Sequence, residues 1–440
     1  MSVFDAYLRR ELRTCVSVRR SRPMPVFTCF LLNACLFLTL FNSQKQFSNV
    51  ATGDEQGLAG ISFTGTLRGL QASLHSGLQR GELRVGIAGG SVSTGAGCTA
   101  RGWVQHLEDV LSTSLRPQMK LRVFNVAEGA TGPDRVFYCL QNLLPNYRSL
   151  DVLFLEYAIN EAGGTMSQLL LRRVINSTSV IFLDTFTLSA GPFRSAQQYH
   201  DTLARYYDVP LLSMRDALWH HSSADGELLE FFATDKTHPS CKGHRFLGNL
   251  AAKFLINVLK LPHRNRLTEI TPIVPSFLEL SAVNPPESVI SSSPQCQFLY
   301  DSKLVKSGPG WRLHEGYKPY YECAQPGDGN LTITFNCEER IANAGCQILL
   351  YYTTSWQPLG SATVIIDKNE QALTLHGFND VFRQSNLKWT VQTSNPWDSL
   401  HVQNGVGSIN VECCGTSMAP ESITGAYDRT SFRLHSFVLI

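Results

Sequence analysis

The chain has 440 residues, 43% apolar, 17% charged and 10% aromatic, with a formal net charge of +2. That length exceeds one ordinary domain, and the composition supplies ample material for a packed core. The near balance of charge excludes a global basic field of the kind that draws a protein onto nucleic acid.

The positive excess is local. Arg9, Arg10, Arg13, Arg19, Arg20 and Arg22 crowd the start, against only Asp5 and Glu11. A solvated tail is the bland reading of such a run. Directly after it, Pro25 to Phe41 is a stretch of 17 residues with no charge and one strongly polar side chain, Asn33. A helix that crosses a bilayer needs roughly 17–25 residues, so the stretch is just long enough. Flanking arginines would hold the N-terminus in the cytosol. The expectation is a cytosolic basic tail at 1–23 and a transmembrane signal anchor at 24–42. The rest would then face the secretory lumen, the Golgi first, or the outside of the cell. A cleaved signal peptide and a buried soluble helix compete, although Asn42 to Phe47 holds no small-x-small cleavage site.

Cysteine usage agrees with that compartment. Of 12 cysteines, nine lie beyond the anchor: Cys98, Cys139, Cys241, Cys296, Cys323, Cys337, Cys346, Cys413 and Cys414. None forms a C-x-x-C pair, so a zinc site is not expected and disulfides are the default. Cys98, Cys139 and Cys241 each follow a polar turn discussed below. A bridge between two of them would brace those turns, but the pairing is not readable. Asn176-Ser-Thr and Asn330-Leu-Thr are glycan acceptor sequences.

Residues 43–80 read as a polar stem with a weak amphipathic stretch from Leu67 to Leu78. From 81 to 262, strand and helix patterns alternate. Leu83–Ala88, Leu121–Val126, Asp151–Tyr157, Ser179–Asp184 and Val209–Ser213 read as strands. Trp103–Leu115 reads as a helix with Trp103, Leu107, Val110 and Leu111 on one face. Arg135–Leu144 reads as another, stopped by Pro145. His244–Leu259 reads as a third, burying Leu247, Leu250, Ala251, Phe254 and Val258. Near-continuous apolar strands between helices indicate a parallel sheet covered on both faces. Prolines and serines across 263–295 read as a linker. From 296 to 440 short strands dominate, among them Asn330–Phe335, Gln347–Thr353, Ala362–Asp367 and Gly407–Glu412, as in a β-sandwich.

In a doubly wound sheet, sites form outside the carboxyl ends of the strands. Four polar segments fall there: Gly89-Gly-Ser-Val-Ser-Thr-Gly95, Asn125-Val-Ala-Glu-Gly-Ala-Thr131, Glu156-Tyr-Ala-Ile-Asn-Glu161 and Thr234-Asp-Lys-Thr-His-Pro-Ser240. Taken singly, each has a dull rival: a Gly-Gly-Ser turn, a capping Asn, a structural His-Pro pair. Taken together and in this order they resemble the four blocks of the SGNH hydrolase superfamily, the GDSL-type lipases and acylhydrolases. The resemblance covers roughly 81–260. Gly89-Gly90-Ser91 stands for Gly-Asp-Ser, and Asp235-Lys-Thr-His238 matches the Asp-x-x-His block. Ala158-Ile-Asn160-Glu161 stands for Gly-x-Asn-Asp, with Glu161 in place of Asp. The second block, with Asn125, Gly129 and Thr131, is one residue short, and Gly132 competes with Gly129.

The resemblance implies a flavodoxin-like three-layer α/β/α domain and a serine carboxylic ester hydrolase. Ser91, Asp235 and His238 would be catalytic. The Ser91 and Gly129 backbone N–H groups and the Asn160 amide would form the oxyanion hole. The chemistry asks for these types. A serine hydroxyl needs a base, the base needs a carboxylate to fix its tautomer, and the tetrahedral oxyanion needs aimed donors. No metal or organic cofactor is required. Ser93 is a competing hydroxyl, Lys236 is expected to face solvent, and His106, His220 and His221 read as surface or packing residues. Gly89-Gly-Ser-Val-Ser93 lacks the last glycine of an α/β-hydrolase elbow, and Gly86 to Ser91 lacks a dinucleotide fingerprint.

The expected activity is removal of an acyl group, acetyl first, from a glycan or another ester. Glycan O-acyl transfer by the same residues and a non-catalytic carbohydrate-binding role are the alternatives. Trp311, Trp356, Trp389, Trp397, Tyr317, Tyr320 and Tyr321 in the β region are candidates for sugar contact, against the ordinary role of aromatics in a sandwich core.

Overall fold

A computed structural model describes residues 59–261, apart from 116, 118, 162 and 220–224. Beyond these it describes 295–298, 305–315, 319–323, 329–336, 348–354, 360–366, 372–376, 386–390, 406–416 and 432–439. The expected tail and anchor, and the linker up to 294, lie outside the described residues. Among the described residues no helix is long and apolar enough to cross a membrane.

The α/β unit opens with β1 (Ile61–Phe63) and α1 (Arg68–Arg80). The expected stem therefore does not reach residue 80. Leu70, Leu74 and Gly77 form the buried stripe of α1, and β1 pairs with the sheet. Alternating elements follow: β2 (Glu82–Gly89), α2 (Trp103–Ser114), β3 (Lys120–Asn125), α3 (Pro133–Leu143), β4 (Val152–Glu156) and α4 (Thr165–Val174). Then come β5 (Ser179–Asp184), α5 (Gln197–Tyr207), β6 (Leu211–Ser213), α6 (Met214–Leu218), α7 (Asp225–Leu229) and α8 (Cys241–Lys260).

The sheet order is β1-β6-β5-β4-β2-β3, parallel from β2 to β6, with β1 antiparallel at the edge. Period-two side chains cover both faces. Leu153 and Leu155 of β4, with Val180 and Phe182 of β5, join the cluster under α3, α4 and α5. Phe154 points the other way, edge-on to Trp103 of α2 at 5.9 Å between ring centroids. Trp103, Val104, Leu107 and Leu111 are the buried residues of α2, so Val104 takes the place expected for Val110. On α8 all five expected apolar residues are buried. The chain leaves β2 for β3 on one side and returns to β4 on the other. Such a reversal opens a crevice at the strands' carboxyl ends.

In the C-terminal region the described strands pair antiparallel. Its strands are β7 (Gln295–Phe298), β8 (Val305–Ser307), β9 (Trp311–His314), β10 (Tyr320–Cys323), β11 (Asn330–Asn336) and β12 (Ile348–Thr354). They continue with β13 (Gly360–Ile366), β14 (Ala372–His376), β15 (Asn386–Thr390), β16 (Val406–Thr416) and β17 (Phe432–Leu439). One sheet runs β15-β12-β17-β10-β9, with β7 also on β17, and the other β14-β13-β16-β11-β8. A Cys139–Cys296 disulfide ties α3 to β7.

Candidate active site

The chain turns at the end of β2, and neighbouring strands hold the turn from both sides. Gly90 N–H donates to Glu156 O at 3.2 Å, and Glu128 N–H donates to Gly89 O at 3.1 Å. A β-carbon on Gly90 would lie 2.3 Å from Asn160 Oδ1, so only glycine admits the Asn160 side chain here. The Ser91 carbonyl accepts from Ala96 N–H at 3.0 Å and from Thr94 Oγ1 at 2.8 Å, which folds the following residues back on the turn.

His238 sits on the loop between α7 and α8. Asp235 Oδ1 accepts the N–H groups of Thr237 and His238, each at 2.9 Å, closing a tight turn in which Lys236 takes φ 56° and is exposed. Asp235 Oδ2 lies 2.6 Å from His238 Nδ1, and His238 Nε2 lies 2.8 Å from Ser91 Oγ, 147 residues away in sequence. With the Asp235 carboxylate accepting the hydrogen bond from Nδ1–H, Nε2 is the acceptor that faces the Ser91 hydroxyl. Partial burial works against the Asp235 charge. The bonds from the His238 ring and from the His238 and Thr237 backbone outweigh it, and the carboxyl is held below its ordinary range.

The oxyanion donors expected from sequence surround the same turn. The bond from Glu128 N–H to Gly89 O draws the second block against it, and Gly129, the next residue, is buried. The left-handed residue there is Ala130, φ 60°, so Gly129 is not needed for its freedom of φ. Gly132, the competing glycine, is the N-cap of α3 instead. Asn125 Nδ2 donates to Ser93 O at 3.0 Å, fastening this loop to the first. Asn160 Oδ1 is buried without a partner among the described residues.

Ser93, the competing hydroxyl, is buried, donates to Glu156 Oε2 at 2.9 Å and accepts from Trp103 Nε1 at 3.2 Å. Glu156 Oε1 takes a further bond from Thr185 Oγ1 at 2.9 Å, and burial lifts the pKa of this carboxyl to about 7. The group under the site thus holds a proton up to near neutrality.

Two histidines outside the expected catalytic set support the site. His244, at the expected start of the last helix, is fully buried and joins two segments. Trp103 N–H donates to its Nδ1 at 3.2 Å, and its Nε2 faces Ala96 O at 2.9 Å. This is the pattern of a neutral ring with the proton on Nε2, and burial lowers its pKa accordingly. The other is His200 on α5. Its Nδ1 lies 2.8 Å from Asp184 Oδ1 and its Nε2 3.1 Å from Glu161 Oε2. Burial alone would drive the ring neutral, but the two carboxylates outweigh it and raise its pKa to about 10. Glu161 also accepts from Ser167 N–H at 3.0 Å and from Ser167 Oγ at 2.5 Å. Glu161 therefore reaches α4 and α5 and fixes the segment that carries Asn160.

A Cys98–Cys241 disulfide joins the first block to the start of α8, three residues after His238. His106 is partly buried, and His220 and His221 lie outside the described residues. In the β region Trp311 is buried and donates to Gly329 O at 3.0 Å, a core role. Tyr320 and Tyr321 are half-buried, and Trp389 lies on β15. Trp356, Trp397 and Tyr317 lie outside the described residues. Asn176 and Asn330 are both exposed.

No family model and no curated protein matches the sequence. Among solved structures, a two-domain esterase active on acetylated mannans superposes with a TM-score of 0.62 at 19% identity. The alignment covers 87% of this chain and 97% of that one. The same esterase co-crystallized with mannopentaose gives 0.58 over the same shares, again at 19% identity. A lipase/acylhydrolase from Enterococcus faecalis gives 0.34 at 15% identity, over 41% of this chain and 99% of its own. The chain has the fold of the two-domain esterase.

Proposed function

We propose that this chain is an SGNH-type serine esterase that removes acyl groups, acetyl first, from a glycan. The observation that carries the reading is the unbroken line from Asp235 through His238 to Ser91 Oγ at the carboxyl end of β2. Ser91 Oγ attacks the ester carbonyl carbon while His238 Nε2 takes its proton. The negative charge that develops on the carbonyl oxygen meets the Ser91 and Gly129 N–H groups and the Asn160 amide. The intermediate collapses by breaking the bond to the sugar oxygen, which leaves with the proton from His238. Water, deprotonated by His238, then releases the acyl group from Ser91 as the free acid. Asp235 stays ionised throughout and steadies the imidazolium. No metal or organic cofactor takes part.

Two observations refine this reading. The His238 and Asp235 side chains are 23% and 48% exposed, so water reaches the base, which favours hydrolysis over O-acyl transfer to a second sugar. The structural neighbour's action on acetylated mannans supports a polysaccharide or oligosaccharide substrate. The Cys98–Cys241 and Cys139–Cys296 disulfides suit an oxidising compartment, and we assign the catalytic domain to the secretory lumen or the cell exterior, behind a type II anchor at 24–42. Purified protein should hydrolyse p-nitrophenyl acetate, and Ser91→Ala should abolish the activity. Equal turnover by that variant would refute the assignment.

A further inference from the structure

Phe193 is the most exposed large hydrophobic side chain among the described residues, at 62%. One exposed apolar residue is ordinary on a protein surface. Phe193 differs in being held. Trp219 meets its ring edge-on at 5.7 Å between centroids, and the Arg215 guanidinium lies over it at 5.1 Å. Trp219 in turn meets Phe186 at 6.5 Å, and Phe186 meets Phe232 at 4.9 Å. Phe232 is the bridge partner of Pro239, the residue after His238. Four aromatic rings thus run in file from the backbone beside the catalytic imidazole to the surface.

The loop that carries Phe193 is tied to the catalytic loop a second time. Leu188 N–H, Ser189 N–H and Thr187 Oγ1 all donate to Lys236 O, at 2.8, 3.0 and 3.0 Å. Ser189 Oγ and Thr237 Oγ1 are 2.7 Å apart. Lys236 and Thr237 are the two residues between Asp235 and His238. Gly191, at φ 96°, turns the chain between this tie and Phe193.

We infer that Phe193, backed by Trp219 and Arg215, is a stacking platform for a sugar ring of the acetylated glycan, beyond the sugar whose ester Ser91 attacks. This rests on the esterase reading above and extends it to how the substrate is held. An aromatic face pairs apolar area with negative charge density and suits the C–H face of a pyranose. A ring already fixed by its neighbours loses little freedom when the sugar lands on it.

The test compares full-length protein with Phe193→Ala and Phe193→Tyr on two esters, p-nitrophenyl acetate and acetylated mannopentaose. Phe193→Ala should raise KM for the oligosaccharide about tenfold, the loss of roughly one aromatic contact, and leave its kcat unchanged. Kinetics on p-nitrophenyl acetate should not move, and Phe193→Tyr should behave as the parent does. An unchanged KM in Phe193→Ala, with p-nitrophenyl acetate still turned over, overturns the platform and leaves the esterase. If the parent hydrolyses neither ester, the esterase reading fails, and calorimetric titration with unacetylated mannopentaose decides the platform. Binding lost in Phe193→Ala upholds it, and no binding to the parent overturns it.

Discussion

Cys98 and Cys241 stand 143 residues apart, and their disulfide fastens the segment after Ser91 to the helix that begins three residues after His238. The two halves of the Ser91–His238 hydrogen bond come from opposite ends of the α/β unit. Without the bridge, their separation depends on non-covalent packing and hydrogen bonds. His244, between Trp103 N–H and Ala96 O, is the second tie across the same gap.

The double variant Cys98→Ala/Cys241→Ala should therefore lose both stability and rate. A bridge closing so long a loop contributes about 2–4 kcal/mol, chiefly by restricting the unfolded chain. Urea denaturation should show that loss, and kcat on p-nitrophenyl acetate should fall in the molecules that remain folded. Unchanged kcat would mean that packing alone holds the pair.

The two serines of the first block should separate cleanly. Ser91→Ala should melt like the parent and turn nothing over. Ser93→Ala should stay active when folded but lose about 1–3 kcal/mol, because Glu156 Oε2 and Trp103 Nε1 each lose a buried partner. Thermal melts and p-nitrophenyl acetate assays on both variants check this.

Asn160→Ala should reduce kcat by about 10²–10³ with little change in KM, as expected for a donor used in the transition state. Steady-state kinetics on p-nitrophenyl acetate read the split. A rise in KM with kcat intact would move Asn160 from the oxyanion hole to substrate binding.

His200 makes a prediction about pH. Its folded pKa, about 10, lies above the ordinary value of 6.5, so the folded chain holds a proton that the unfolded chain gives up. The stability this contributes is whole below about pH 6.5 and is lost as pH climbs toward about 10. Thermal midpoints measured across that interval should decline in the parent. His200→Gln should start lower and lose this part of the slope.

How much of this is legible in the sequence depends on where each signal lives. The central strands are continuous apolar runs, so Leu83–Ala88 and Ser179–Asp184 stand out and match β2 and β5 to within a residue at each end. Ser91, Asp235 and His238 stand out as candidates because the four blocks keep their order along the chain. β1 has three half-buried residues and no period, and α1 buries only two leucines, so both read as stem. His200 gives no local signal: it lies on the buried face of an ordinary helix, and its partners Asp184, Glu161 and Ser167 are 16, 39 and 33 residues away. Only the sheet order brings them together. The pairing of Cys98 with Cys241 is hidden for the same reason. In the β region, strands as short as Trp311–His314 carry too few residues to show alternation.

Labelling with a fluorophosphonate, followed by mass spectrometry of the modified peptide, tests the central assignment most directly. One adduct per chain should form on Ser91, and Ser91→Ala and His238→Ala should both stay unlabelled. An adduct on Ser93, or a native protein that takes up no label, would contradict it.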